Sequence, residues 1–173
     1  SISPSVIENT QTAVTITGTN FISVPQVEAI NSTGAIVAAD SITYTSATQI
    51  VATFTLPVDG TYFLRVENND GNAVRSSSAL LTVSDAPAWT TAAGSIYTGA
   101  SVVSTITLSA TGATSFAVTT GAIPTGLTFT SGTGSCTIAG TQTEFTAAGT
   151  KNFSITATDA EGQTAVRAFS MSF

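Results

Sequence analysis

Apolar and hydroxyl-bearing residues alternate along most of this chain with a period of two. Val14 to Thr17 and Phe153 to Thr156 are typical runs, in which a β-branched or aromatic residue is followed by Thr or Ser. This alternation predicts strands with one buried and one solvated face. No segment has the 3.6-residue period of an amphipathic helix. We therefore expect an all-β protein.

Segments with strand character recur along both halves of the chain, with turn residues between them. The first half contains seven, which suit one Ig-type module: Ala13–Thr17, Gln26–Ile30, Ala35–Ala38, Ser41–Tyr44, Gln49–Leu56, Thr61–Glu67 and Ala79–Val83. The second half contains six: Val102–Ser109, Ser115–Thr119, Gly126–Thr130, Cys136–Ala139, Lys151–Thr158 and Thr164–Phe173.

The best candidate for a domain junction is the segment from Ser84 to Ala88. It follows a predicted strand and contains Pro87, which removes a ladder donor and favours extended geometry at Ala86. A length of 173 residues suits two Ig-sized domains. We expect two tandem Ig-like β-sandwiches, residues 1–86 and residues 87–173.

Charge is scarce, and hydroxyl groups supply much of the polarity. Only 8% of residues are charged, whereas Thr (34) and Ser (21) make up almost a third of the chain. The four cations are scattered and the net charge is −6, so nucleic acid is not an expected partner. No run approaches the ~18 apolar residues of a membrane span. Residues 1–20 lack the basic start and apolar run of a signal peptide.

The residues from which most active sites are built are few. The chain has no His, one Cys and one Lys, so a Ser or Cys nucleophile would lack its usual base. We expect Cys136 to be a small buried apolar residue, and Lys151 a solvated residue at the start of a strand. Asp159 and Glu161 lie at a predicted hairpin tip, where we expect both carboxylates to be solvated. We expect no catalytic residue and no enzyme activity.

Calcium would need several oxygen ligands around one point. Asp85, Asp159 and Glu161 are too few for a predicted site, so we expect no metal-binding residue, no cofactor-binding residue and no cofactor. Trp89 follows the junction and leaves two alternatives: a plug between the domains, or an exposed aromatic contact for sugar or protein. The short linker favours the plug, because an indole there can bury much apolar area.

Five segments of the first half follow a recognisable pattern: Ile2-Ser3-Pro4, Val14–Phe21, Asp59–Val66, Asn68–Gly71 and Leu80–Val83. With these segments the first half resembles the IPT/TIG family of Ig-like domains. In physical terms, Gly18 and Asn20 permit a tight turn after the strand, and Phe21 can fold back onto the core. Tyr62 can bury its ring while its hydroxyl reaches the backbone, as in a tyrosine corner.

Four segments of the second half follow another recognisable pattern: Ser109–Ala113, Gly121–Leu127, Ile138–Thr141 and Asn152–Gly162. With these segments the second half is similar to the Putative Ig (cadherin-like) repeats of phage structural and bacterial surface proteins. The chain departs from the family pattern at Gln142, where Pro is usual, and at Cys136, where an ordinary apolar residue is common.

These resemblances imply a spacer, a carbohydrate or surface contact, or a shell component, since such folds host unrelated functions. We expect a non-enzymatic structural or attachment protein of a bacteriophage virion, on the tail, baseplate or capsid exterior. The expected partners are other virion or surface-assembly proteins in many copies, with cell-surface carbohydrate as a further candidate. The alternatives are a bacterial cell-surface or secreted adhesin segment, and accessory domains of a carbohydrate-active enzyme.

Overall fold

The computed structural model describes residues 1–173, and the chain is all-β, as the alternation predicts. It divides into two compact units, Ser1–Asp85 and Ala86–Phe173. Each unit is a β-sandwich of two sheets. The division lies one residue before the boundary that the sequence predicts.

Ten strands build the first unit: β1 (Ile2–Ser3), β2 (Val6–Ile7), β3 (Thr12–Thr17), β4 (Gln26–Asn31), β5 (Ile36–Ala38), β6 (Ser41–Ser46), β7 (Gln49–Phe54), β8 (Gly60–Glu67), β9 (Ala73–Arg75) and β10 (Leu81–Val83). One sheet has the order β1-β3-β7-β6. The other has the order β2-β10-β8-β4-β5, and β9 also pairs with β8.

The core of the first unit lies between these two sheets. Burial alternates along β7, where Ile50, Ala52 and Phe54 are fully buried. In β8 the Tyr62 ring is buried, and its hydroxyl donates a hydrogen bond to the Val58 carbonyl oxygen. This is the tyrosine corner that the sequence predicts.

Eight strands build the second unit: β11 (Ala88–Trp89), β12 (Gly94–Thr98), β13 (Val102–Thr111), β14 (Ser115–Gly121), β15 (Leu127–Ser131), β16 (Ser135–Thr141), β17 (Thr150–Thr158) and β18 (Thr164–Ser172). Its sheets have the orders β11-β13-β16-β15 and β12-β18-β17-β14. Ile138, Ile155 and Met171 are fully buried between them.

In both units a strand near the start pairs in parallel with the last strand. In the first unit β2 pairs with β10, through Thr82 N–H to the Ser5 carbonyl (2.8 Å) and Ser84 N–H to the Ile7 carbonyl (2.9 Å). In the second unit β12 pairs with β18 across a longer register, with a bulge between Ser95 and Tyr97. All other strand pairs are antiparallel.

The predicted turn after β3 is present. Asn20 has a positive φ of 59°, and Phe21 folds back and is buried. A Cβ atom at Gly18 would lie 2.6 Å from the Phe21 ring. Gly18 is therefore needed because the ring packs on its backbone.

Five strands lie outside every segment that the sequence predicts: β1, β2, β9, β11 and β12. They are two to five residues long, too short for an alternating pattern to stand out. Their pairing partners fix them instead. The thirteen predicted segments all contain observed strands, with ends shifted by up to two residues.

Candidate functional site

Three of the four sheets present outer faces without a charged side chain. The strands of the β1-β3-β7-β6 sheet and of the β11-β13-β16-β15 sheet contain no Asp, Glu, Lys or Arg. In the β12-β18-β17-β14 sheet, Lys151 and Arg167 each lie two residues before a buried residue, Phe153 and Phe169 respectively. Residues two apart in a strand share a face, so both charged residues lie on the inner side of the sheet. We call these three surfaces the neutral faces.

The neutral face of the β12-β18-β17-β14 sheet has a regular row structure. The register places Val166 beside Thr156 and Thr156 beside Ala117 in one row, which we call the ridge. Thr156 and Thr119 share a 2.8 Å hydroxyl–hydroxyl contact. Val166 is 63% exposed.

A shallow trough adjoins the ridge on the same face. The next row brings Ala168, Ser154 and Thr120 together. The trough has a volume of about 420 Å³ and runs from Gly94 to Gly121. Small side chains leave this concave region open across the sheet.

The charged side chains of the strands in the first unit lie on its second sheet. Arg65 pairs with Glu28 (2.8 Å) and with Glu67. The Arg75 guanidinium lies 4.0 Å above the centroid of the Phe63 ring, a cation–π contact. These charges are matched within the sheet, so the face offers few free charges to a partner.

A cleft of about 330 Å³ opens at one end of the first unit, between the loop after β3 and the loop between β8 and β9. Asn68 joins the two loops: its amide nitrogen donates to the Asn20 carbonyl, and its amide oxygen accepts from Ile22 N–H. Hydrogen bonds from the backbone and then the side chain of Asn72 lower the pKa of Asp70. Asp70 therefore keeps its charge beside the apolar residues of the cleft. We call this the loop-end cleft.

The two nucleophile candidates are held in structural roles. Cys136 is buried, as predicted, and burial raises the pKa of its thiol from 9.0 to about 11. Lys151 donates to Glu144 Oε1, and this hydrogen bond is the main cause that lowers the pKa of Glu144. Lys151 lies at the start of β17 and stays partly exposed, as expected, and its ammonium is ion-paired.

The expectation that Asp159 is solvated is wrong. Only 6% of Asp159 is exposed, and its Oδ1 accepts the Gln163 N–H at 2.7 Å. The carboxylate thereby closes the β17–β18 turn, while its Oδ2 has no hydrogen-bond partner in the structure. Glu161 is exposed, as expected. No group of three or more His, Cys, Asp or Glu residues comes together anywhere in the chain.

Trp89 packs into the core of the second unit. Its ring makes edge contacts with Phe116 and Phe169, with centroids 5.4 Å and 5.3 Å away. Its Nε1–H donates to the Ala165 carbonyl at 3.0 Å. The indole is thus used within its own unit, and neither alternative predicted from its position beside the junction describes this role.

A protein-family model described as "Putative Ig domain" matches residues 79–173, more than half of the chain. The chain belongs to the Putative Ig domain family. The match covers all of the second unit, where the similarity was predicted. No curated protein sequence matches this family member. It contains no helix with the length and apolar character that a membrane crossing requires.

A solved structure with the same fold as this Ig-family chain comes from titin. The I-band fragment I67–I69 from titin aligns with a TM-score of 0.52 and 14% identity, over 98% of this chain and 62% of the fragment. SGBP-B of the Bacteroides ovatus mixed-linkage glucan utilization locus, in complex with a mixed-linkage heptasaccharide, aligns with a TM-score of 0.37 and 13% identity, over 96% of this chain and 42% of that protein. Yersinia pseudotuberculosis adhesin InvE aligns with a TM-score of 0.35 and 17% identity, over 98% of this chain and 57% of the adhesin. The chain spans less than two thirds of each.

Two glycines in the segment that carries the Putative Ig domain similarity cannot be replaced without a steric clash. Gly121 and Gly126 flank the Pro124 turn with positive φ values of 69° and 89°. A Cβ atom would lie 2.5 Å from the Asn152 carbonyl oxygen at Gly121 and 2.3 Å from the Thr141 carbonyl oxygen at Gly126. Only glycine lets the backbone approach this closely.

Proposed function

We propose that this chain is a non-enzymatic structural and attachment module of a bacteriophage virion, on the tail, baseplate or capsid exterior. The observation that carries the proposal is the set of three neutral faces. Surfaces of Thr, Ser, Ala and Val can pack closely against neighbouring proteins without leaving a buried unpaired charge. Such surfaces suit many identical contacts in a repeated shell.

The absence of enzyme activity is part of this proposal. Cys136 is buried with a raised pKa, and Lys151 is ion-paired to Glu144. Neither group is available as a nucleophile or general base at neutral pH. The chain acts by binding alone and needs no cofactor.

We assign the first unit to the IPT/TIG type of Ig-like domain. Support comes from the Asn20–Phe21 turn and the Tyr62 corner, which lie in segments that carry the resemblance. This assignment fits a binding module, and it does not by itself choose the partner.

A bacterial surface or secreted adhesin segment is the second candidate. The loop-end cleft favours it, because Asp70 and asparagine amides lie beside Phe21, Val66 and Val74. This mixture of hydrogen-bonding groups and apolar surface suits a sugar, whose ring has both hydroxyl and C–H faces. Cell-surface carbohydrate is the partner in that case.

Fractionation of the native source tests the proposal. An antibody against the chain should detect it in a dense particle fraction, in many copies and together with capsid or tail proteins. Because the contacts are uncharged, the chain should stay bound from about 0.05 to about 0.5 M NaCl. Recovery from the envelope fraction would support the adhesin. Recovery only as a free monomer would refute both forms of the attachment proposal.

A further inference from the structure

We propose that two copies of this chain pair with each other through the neutral face of the β12-β18-β17-β14 sheet. The occupant of the trough is the ridge of a second copy. This pairing rests on the proposed attachment function, for which it supplies one of the repeated contacts. It is specific to one of the three neutral faces.

The first argument is shape. The ridge row of Val166, Thr156 and Ala117 lies directly beside the trough row of Ala168, Ser154 and Thr120. A twofold axis that lies in the plane of the interface, parallel to these rows and between them, would place each ridge over the opposite trough. A surface of this kind is self-complementary, which an isologous dimer requires. Val166, 63% exposed, is the ridge side chain that would be buried.

The second argument is charge. The whole chain has a net charge of −6, but the second unit has three acids and two bases. Lys151 is paired with Glu144, and Arg167 donates to the Thr91 carbonyl at 2.6 Å. Two second units therefore repel each other little, and their facing surfaces have no charge to desolvate. The more acidic first unit does not share this property.

The third argument is area. Strands β17 and β18 are nine residues long each, so at ~3.4 Å per residue the face is about 30 Å long. Four strands spaced ~4.8 Å apart give it a width of about 20 Å, side chains included. Each copy would bury about 600 Å², below the ~800 Å² of a standard stable interface. The isolated dimer should therefore be weak, and many copies in one assembly would strengthen it by avidity.

Sedimentation equilibrium of the full chain, from about 1 µM to about 1 mM, tests the pairing. We expect reversible dimers in the upper part of this range, with a dissociation constant that changes less than about threefold between 0.05 and 0.5 M NaCl. Thr156→Arg should weaken dimerisation at least about tenfold, since a buried unpaired guanidinium is costly. Thr137→Arg is the matched control, because Thr137 is a half-buried threonine on the central strand of the other neutral face of this unit. It should leave the dimer unchanged.

Cross-linking gives a second readout that does not depend on the folding of the arginine variants. Cys136 is buried, so Thr156→Cys would provide the one accessible thiol. A short bismaleimide should join two Thr156→Cys chains into a dimer and leave Thr137→Cys monomeric. If the wild-type chain is monomeric at about 1 mM, or if both positions behave alike, the pairing is refuted. A monomer that is nevertheless found in native particles would refute the pairing and leave the attachment function standing.

Discussion

The Tyr62 hydroxyl donates a 2.7 Å hydrogen bond to the carbonyl oxygen of Val58, four residues earlier in the chain. The ring is 1% exposed, and burial is the main cause that raises the pKa of Tyr62, followed by the negative charge of Asp59. This bond fixes the connection between β7 and β8 at the edge of the core. It links a sequence motif of the first unit to its packing.

Tyr62→Phe should lower the free energy of unfolding of the first unit by about 1 kcal/mol, because the ring stays buried and one net hydrogen bond is lost. Differential scanning calorimetry would measure the change. Tyr44→Phe is the control, since Tyr44 is only partly buried against the same core. An equal loss in both variants would show that the corner bond is not the cause.

Gly126→Ala should destabilise the second unit by more than about 2 kcal/mol. The new Cβ would meet the Thr141 carbonyl oxygen at 2.3 Å, in addition to the strain of a positive φ. Gly134→Ala is the matched control: its φ is +74° and nothing lies within 4 Å of a Cβ there, so about 1 kcal/mol is expected. Urea unfolding followed by Trp89 fluorescence would compare them. Equal losses would contradict the steric argument.

The second unit should lose stability as the pH rises from about 9 towards about 11. The pKa of Cys136 is about 11 in the folded state and 9.0 for an ordinary thiol, so the folded state keeps its proton more tightly. This contribution is present in full below pH 9 and is lost as the pH rises through 11. Cys136→Val should flatten the dependence of the unfolding free energy on pH over this interval. The same steepness in that variant would contradict the prediction.

The two units should fold separately. Expression of residues 1–86 and of residues 87–173 leaves every strand intact, because β10 ends at Val83 and β11 begins at Ala88. Each piece should unfold cooperatively, and Trp89 fluorescence should report only the second. Limited proteolysis of the full chain should cut near Pro87. Two unfolded pieces and an uncut junction would argue against two independent cores.

Metal should be dispensable for stability. The buried Asp159 is held by the Gln163 N–H, and no cluster of acidic residues surrounds it. Adding a chelator should therefore leave the melting temperature unchanged. A fall of more than about 10 °C would indicate a cation at the β17–β18 turn, and Asp159→Asn should then abolish the chelator effect.

The alternation of the sequence predicts the long central strands well. In β7 and β17 a buried residue occupies every second position, so the pattern and the packing agree. The short strands β2 and β12 could not be found this way, because their positions depend on pairing with β10 and β18, more than 70 residues away. Non-local pairing leaves no local signal.

The candidate surfaces were harder to predict than the fold. The composition shows that charged residues are scarce. That Lys151 and Arg167 lie on the inner side of their sheet depends on the strand register, which the composition does not give. The trough arises because Ala168, Ser154 and Thr120 lie side by side on three strands. The expectation for Asp159 is wrong because a carboxylate in a hairpin turn is usually solvated, whereas this one accepts a backbone hydrogen bond within the turn.

The parallel pairing of an early strand with the last strand has a mechanical consequence. Tension between the chain ends pulls β2 and β10 in opposite directions along their shared axis, and it does the same to β12 and β18. The hydrogen bonds of each pair then carry the load together, in shear, and cannot be opened one after another. The longer β12–β18 register should make the second unit the stronger link. A particle or cell that attaches through this chain would be held by two domains that resist extension.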